Sequence, residues 1–370
     1  MRKSGLLFLL LLMMVFTTGC WDATDVNDLY IPFVAGYDYV GKNEQERYAM
    51  SINFPVFNRG AQVQSDVMTL EGETMGETRI DRGNKSSRKM AIGDLRAVLL
   101  SENLASRGTE EVFDLLFRGP QFTNTISLAV SEGKASDILN IKPKHYQTVG
   151  QNVIEILRNA DKSNFTPCED LHSFRVDVLT PGFNPVLPIL RIHDQDRLEI
   201  SGAALFKKYK MVAKINKEDM RVLTWLRGKE TQGDILFELE DEQGEVKKVT
   251  FEGVNSRSVK AKMEKEHPFF EIQIKLKGSV IEDVGEFPFA SKEENIQRAE
   301  KALEDKIQKQ CSVFLNDLQN QYRLDAILLG KYARYKWPSL VEKEDWDEVF
   351  CNSVIQVKVE VKIQSTGEVA

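Results

Sequence analysis

The chain has 370 residues, of which 42% are hydrophobic and 28% charged, with 11 prolines and 23 glycines. That composition excludes a collagen, a disordered tail and a polytopic membrane protein, and it fits globular material with room for two or three cores. The 49 Lys and Arg against 56 Asp and Glu give a formal charge of −7, which argues against a nucleic-acid surface, because phosphate binding needs clustered cations.

The N-terminus reads as a secretory signal over residues 1–19. Arg2 and Lys3 precede an unbroken apolar run from Leu6 to Phe16, followed by Thr17, Thr18, Gly19 and Cys20. A charged start, a short apolar core and small residues at its end make that pattern. The run is too short for a membrane span, which needs about 20 apolar residues. Small-small-Gly-Cys is also where a bacterial lipoprotein is cut. Cys20 is therefore the candidate lipid site, an S-diacylglycerol and N-acyl cysteine carrying palmitate-type chains. The residue three places before such a cysteine is usually Leu, and here it is Thr17. An ordinary signal cut nearby and an uncleaved anchor are the alternatives. Two acyl chains anchor stably, since each buried methylene contributes about 0.8 kcal/mol. Removing residues 1–19 takes Arg2 and Lys3 from the cations and no acid, which leaves −9. So acidic a body is repelled by an anionic bilayer and stands off it on its tether. The other cysteines, Cys168, Cys311 and Cys351, show no paired spacing. Cys311 lies on an apolar helical face and reads as a buried thiol; a Cys311–Cys351 bridge stays open as an alternative.

Periodicity then lays out the elements. Tyr30 to Asp38 and Tyr48 to Phe54 form a hairpin across Gly41-Lys42-Asn43-Glu44. Residues 62–87 are polar and carry no clear pattern. Leu95 to Leu100 reads as a buried strand, and Thr109 as the cap of a short helix containing Val112, Phe113 and Leu116. Ile126 to Val130 is a strand, Val149 to Ala160 a helix, and residues 181–185 a loop. Leu198 to Phe206 is another strand, and Asn216 to Gly228 holds a helix. A meander follows: Ile235 to Glu240, Val246 to Phe251, Val259 to Met263 and Phe270 to Leu276. Its acidic tip, residues 240–245, lacks the spacing of a calcium loop and reads as a solvated turn. Ser291 and Glu294 make a capping box for a long helix. Ile296, Ala299, Leu303, Ile307, Cys311, Phe314 and Leu318 form its stripe. The chain closes on a strand with Ile355, Val357, Val359, Val361 and Ile363 on one face and charged or polar residues on the other.

The expected fold class is α/β, of the α+β type, with mixed and antiparallel sheets, packed helices and the long C-terminal helix lying on a sheet. The expected division is residues 1–19 signal peptide, 20–195 an N-terminal α/β domain, 196–230 the core of a small middle domain, and 231–370 a C-terminal α/β domain.

Chemistry-bearing motifs do not emerge. There is no His-Glu-x-x-His, no Gly-x-Ser-x-Gly and no phosphate-binding Gly-rich loop. His145, His172, His193 and His267 have no metal-ligand spacing. With 56 acids, no carboxylate pair stands out. The chain reads as a binding or scaffolding protein, with no catalytic residues, metal or cofactor expected.

A set of short motifs carries a family resemblance. Cys20-Trp21-Asp22, Asp25-Val26-Asn27-Asp28-Leu29 and Gly36-Tyr37-Asp38 are followed by Glu71-Gly72-Glu73-Thr74 and by Gly93-Asp94-Leu95 leading to Ser101-Glu102. Phe117-Arg118-Gly119-Pro120, Glu132-Gly133-Lys134-Ala135 and Gly202-Ala203-Ala204-Leu205-Phe206 continue the series. Leu223 to Lys229, Asp325-Ala326-Ile327, Leu329-Gly330, Trp337-Pro338, Trp346 and Phe350 complete it. In order and spacing the chain resembles the Ger(x)C family of spore-germination lipoproteins over its whole mature length. The family usually has His where this chain has Asp94. The resemblance implies an elongated three-domain α/β fold without known enzymatic activity. It also implies the lipoprotein subunit of a nutrient germinant receptor, on the outer face of the spore inner membrane. The implied partners are a polytopic transporter-like subunit, a second membrane subunit with large soluble domains, and the bilayer through Cys20. Trp225, Trp337 and Trp346 read as core; one of them in a partner-binding patch is the alternative. A solute-binding lipoprotein of an importer is the competing function, but its two wound parallel lobes suit the antiparallel meander poorly.

Overall fold

The computed structural model of the chain describes residues 25, 28–41, 47–56, 64–160, 165–228, 230–241, 243–285, 287–289 and 293–366. Cys20 and residues 1–19, the expected signal, lie outside them. A two-stranded parallel pair, β1 (Leu29–Tyr30) with β5 (Lys89–Met90), sits beside two larger sheets. The first of these is built from β2 (Val34–Tyr39), β3 (Tyr48–Val56), β4 (Gln64–Gly72), β6 (Ala97–Ser101), β7 (Ser127–Ser131), β8 (Glu169–Asp170), β9 (Val186–His193), β10 (Arg197–Lys207) and β11 (Lys210–Asn216). Its order is β11-β10-β9-β7-β6-β2-β3-β4, with β8 beside β7. The four central strands, β9, β7, β6 and β2, run parallel, while antiparallel hairpins flank them.

Parallel strands covered on both faces need continuous apolar runs, and Ala97–Ser101 is buried at every position. One face packs Val98, Leu100, Leu128 and Val130 under the helices Glu102–Arg107, Glu110–Arg118 and Leu171–Leu179. The other packs Val34, Ala97, Leu99 and Ala129 under Ala135–Leu139 and Val149–Ala160.

The second large sheet is β12 (Gln232–Glu240), β13 (Val246–Glu264), β14 (His267–Val284) and β15 (Val354–Ser365), in that order. Its inner face carries the long helix Glu293–Asp317, as the stripe predicts: Ala299, Leu303, Ile307, Cys311 and Phe314 are buried, and Leu318 continues the burial in the π-helical turn that follows. Strand β15 runs parallel to β14, so the long helix serves as the crossover that a parallel return requires. Between the sheets lies the helix Lys217–Arg227, started by Asn216, whose side chain accepts the Asp219 N–H at 2.9 Å. It buries Met220, Val222, Leu223, Trp225 and Leu226 in the core shared with β10, β11 and the second sheet.

Three expectations need correction. Thr109 does precede its helix, but its hydroxyl donates to the Tyr209 carbonyl at 2.6 Å and makes no cap bond. It ties that helix to β11's turn. Second, Val246 to Phe251 and Val259 to Met263 belong to one 19-residue strand. The polar stretch between them stays in the ladder because Asn255 is buried and accepts from the N–H and hydroxyl of Thr231, at 3.1 and 2.8 Å. Third, the unpatterned 62–87 stretch holds β4 and the helix Met75–Lys85. Thr74 accepts the Glu77 N–H at 3.2 Å while Glu77 accepts the Glu73 N–H at 2.8 Å, a reciprocal cap that starts a polar helix. Ser291, the expected cap of the long helix, lies outside the described residues. No helix among the described residues is long and apolar enough to cross a membrane.

Candidate functional site: the junction between the two sheets

The densest buried polar chemistry lies where the two sheets meet. Arg227, in the last turn of the wedged helix, is its hub. One terminal nitrogen donates to the carbonyls of Asn184 at 3.0 Å and Ala326 at 2.7 Å. The other donates to Glu169 Oε1 and Asp177 Oδ2, both at 2.6 Å. All three side chains are nearly enclosed, at 8%, 7% and 11% exposure. Burial raises the Asp177 carboxyl above the ordinary carboxylate range, against the pull of the guanidinium.

A second knot sits one layer away. Asp325 Oδ1 accepts the N–H of Ile327 at 3.2 Å and Leu329 at 3.1 Å, and Oδ2 accepts Gly330 N–H and Trp346 Nε1–H, both at 2.7 Å. Burial pushes this carboxyl up, while hydrogen bonds from Trp346, Gly330 and Leu329 oppose the shift. Asp347 Oδ1 accepts the Asp325 N–H at 3.0 Å and an Asn184 amide hydrogen at 2.9 Å. Its other oxygen pairs with Lys207 of β10 at 2.9 Å. Here the chains approach too closely for side chains. A Cβ on Gly330 would stand 2.0 Å from the Gly182 carbonyl, and Gly182 itself has φ +80°. Above the knot opens a cleft of about 600 Å³ lined by Leu179, Pro181, Phe183, Lys207, Tyr209 and Trp346.

Arg257 of β13 completes the junction. Its buried guanidinium donates to the Ile327 carbonyl at 2.8 Å and stands 5.4 Å over the Tyr332 ring. Among the described residues its Nε and second terminal nitrogen have no hydrogen-bond partner. Burial lowers its pKa to about 10.

Nothing in this arrangement pairs a nucleophile with a base. Among the described residues no three His, Cys, Asp or Glu side chains are grouped to hold a metal ion. What the cluster does physically is lock two sheets at one angle. The candidate tryptophans serve the same end: Trp225 and Trp346 are 2% and 4% exposed, and Trp337 packs against the same core. Cys311 and Cys351 form no bridge with each other, and burial pushes the Cys311 thiol far up, into an inert state. Asp94 is exposed in a short turn, Ile92–Asp94.

Many of the resembling motifs prove to be joints. Asp38 accepts the N–H of Ala135 at 2.7 Å and Ser136 at 3.0 Å, so Gly36-Tyr37-Asp38 meets Glu132-Gly133-Lys134-Ala135. Gly36 lets the Ala135 methyl approach; a Cβ there would stand 2.8 Å from it. Ser101 caps its helix through the Leu104 N–H. Asp325, Gly330 and Trp346 are the second knot. Glu169, Asp177 and Asn184 escape a reading of the sequence. The one signal is Asp177 on the apolar stripe Leu171, Phe174, Val178, where an acid has no place unless paired.

Comparison with known proteins gives a consistent result. The family description "Spore germination protein N-terminal domain" matches residues 22–192, and "Spore germination B3/ GerAC like, C-terminal" matches residues 201–367. The chain is 26% identical over 374 residues to spore germination protein GerQC of Bacillus cereus, covering 99% of each. It is 21% identical over 380 residues to spore germination protein B3 of Bacillus subtilis (strain 168), covering 100% of each. It is 24% identical over 413 residues to spore germination protein KC of the same strain, covering 99% of this chain and 96% of that one. In structure it resembles the crystal structure of the GerBC protein with a TM-score of 0.54 and 17% identity, covering 90% of this chain and 98% of that one.

Proposed function

The chain belongs to the Ger(x)C family of spore-germination proteins, and from that premise we propose that it is the lipid-anchored subunit of a nutrient germinant receptor. In this reading Cys20 carries the acyl chains, and the body stands on the outer face of the spore inner membrane. It assembles there with a polytopic transporter-like subunit and a second membrane subunit. It contributes no catalysis. The observation that carries the reading is the match of both family descriptions, in order, over residues 22–192 and 201–367. The junction supports it: the buried charge there is spent on holding the halves at a fixed angle, as a subunit that presents surfaces to partners requires. Tethering also lets modest affinities suffice, because it concentrates the body at the membrane. Residues 20–195, 196–230 and 231–370 are the proposed units, the middle one spanning from β10 to the wedged helix.

The test extracts a tagged full chain from spore membranes in mild detergent, beside a Cys20→Ala variant. The natural chain is expected to carry palmitate label and to bring down a polytopic subunit; the variant is expected to lose the label. Undiminished label in the variant, or a labelled chain that comes down alone, contradicts the reading.

A further inference from the structure

A free sheet edge invites another strand, and most edges in this molecule are plugged. On β4, Glu71 N–H is taken by Asp81 at 3.0 Å and the Thr69 carbonyl by Lys85 at 3.4 Å. On β12, the carbonyls of Leu236 and Glu240 accept from Lys306 and Arg298 of the long helix. The β11 edge is short, carries Lys210 and Lys214, and lies beside the Glu102–Arg107 helix through a Lys214–Glu102 pair. On β15 the same long helix turns its acids to the edge: Glu304 takes the Val361 N–H at 3.1 Å and Glu300 the Ile363 N–H at 2.9 Å. At the other end Gln319 donates to the Ser353 carbonyl at 2.9 Å.

Alternate residues of an edge strand send their backbone groups outward. Ile355, Val357 and Val359 share the parity of Val361 and Ile363, and no side chain among the described residues plugs them. We infer that the edge of β15 from Ile355 to Val359 docks an extended segment of a protein partner, which adds a fifth strand to the second sheet.

The occupant follows from the surroundings. The window is five residues long, about 17 Å at about 3.3 Å per residue. Alone it falls far short of the roughly 800 Å² per partner that a stable interface buries. A second copy is also opposed by shape and charge. Glu300 and Glu304 lean over the edge, and antiparallel pairing of two copies about Val357 would drive two long helices together on one face. A slim strand meets neither obstacle. Towards the helix it lies beside Ile355, Val357 and Val359, so its inward residues are β-branched and apolar. Towards solvent it borders a sheet face on which Lys260, Lys275, Lys277, Lys358 and Lys362 outnumber the acids Glu271 and Glu360 that pair with some of them, so its outward residues are acidic. This surface is independent of the receptor-subunit reading, which stands or falls on other grounds.

The test is amide hydrogen exchange on the full chain in a neutral detergent, with a capped heptapeptide alternating glutamate and valine as the probe. In the free chain the amides of Ile355, Val357 and Val359 are expected to exchange about tenfold or more faster than those of Val361 and Ile363. The probe is expected to slow them about tenfold, and a lysine–valine heptapeptide is expected not to. Val357→Pro removes an outward N–H and no ladder bond, which an edge strand tolerates; it is expected to abolish the protection. Lys358→Glu, which leaves the backbone alone, is expected to exchange the preference between the two peptides. Slow exchange at all three amides without peptide, protection that appears only as the chain is concentrated, or equal protection by both peptides would each overturn the inference.

Discussion

Arg227 is the side chain on which most of the junction converges, because four acceptors, three within residues 169–184 and one at Ala326, depend on it. Replacing it with Met keeps the stem but takes the Arg227 cation away from the buried Glu169 and Asp177. Breaking a buried pair from one side costs about 3–5 kcal/mol, and denaturant unfolding of Arg227→Met is expected to show a loss of that size. A loss below about 1 kcal/mol, the range of exposed ion pairs, would show that the pair is open to water. Asp177 sets the sign of a pH effect. Its folded carboxyl binds a proton more tightly than the unfolded one, so its ionisation costs stability above the folded value, and the cost is relieved as pH falls through it. Little of this was legible beforehand. Arg227 is separated by 58 residues from Glu169 and by 50 from Asp177, and neither acid has a local pattern that names a distant cation.

At the scale of elements, legibility follows periodicity. The Val149–Ala160 helix and the closing strand show in sequence because each repeats its own period without interruption. Strand direction does not show, and β15 runs parallel to β14 only because the long helix carries the chain back across the sheet. The unbroken length of β13 was hidden by Asn255, a buried polar residue whose side-chain oxygen accepts from the distant Thr231. The two faces of β15 are expected to respond differently to substitution. Val361 is 3% exposed beneath the long helix, so Val361→Asp buries a charge without a partner and is expected to cost several kcal/mol. Lys358→Ala is expected to cost little, because its pair with Glu271 is solvent-exposed. The same variant carries an independent signature. Hydrogen bonding to Lys358 holds Glu271 below its usual carboxylate range. NMR titration is therefore expected to find its pKa moved up in the variant, while Lys260 still holds it partly down. The Glu271 contribution is present above the unfolded value and lost as pH falls through the folded one. An unmoved Glu271, or equal loss of fold in both variants, contradicts the assignment of faces.

Over the whole molecule, two sheets are joined by one wedged helix and locked by buried charge. On the proposed reading the chain acts in its receptor by holding surfaces in place, so its removal is expected to silence that assembly and leave other routes alone. The composition, the apolar N-terminal run and the ordered motifs pointed to that role; the lock, made of contacts between distant segments, needed the fold to be seen. The most direct measurement is dipicolinic acid release from spores lacking this chain, triggered by a panel of single nutrients and by a non-nutrient agent. The expected result is normal sporulation, loss of release for one class of nutrient, and an undiminished response to the non-nutrient trigger. A normal response to every nutrient, or loss of the non-nutrient response as well, would contradict the account.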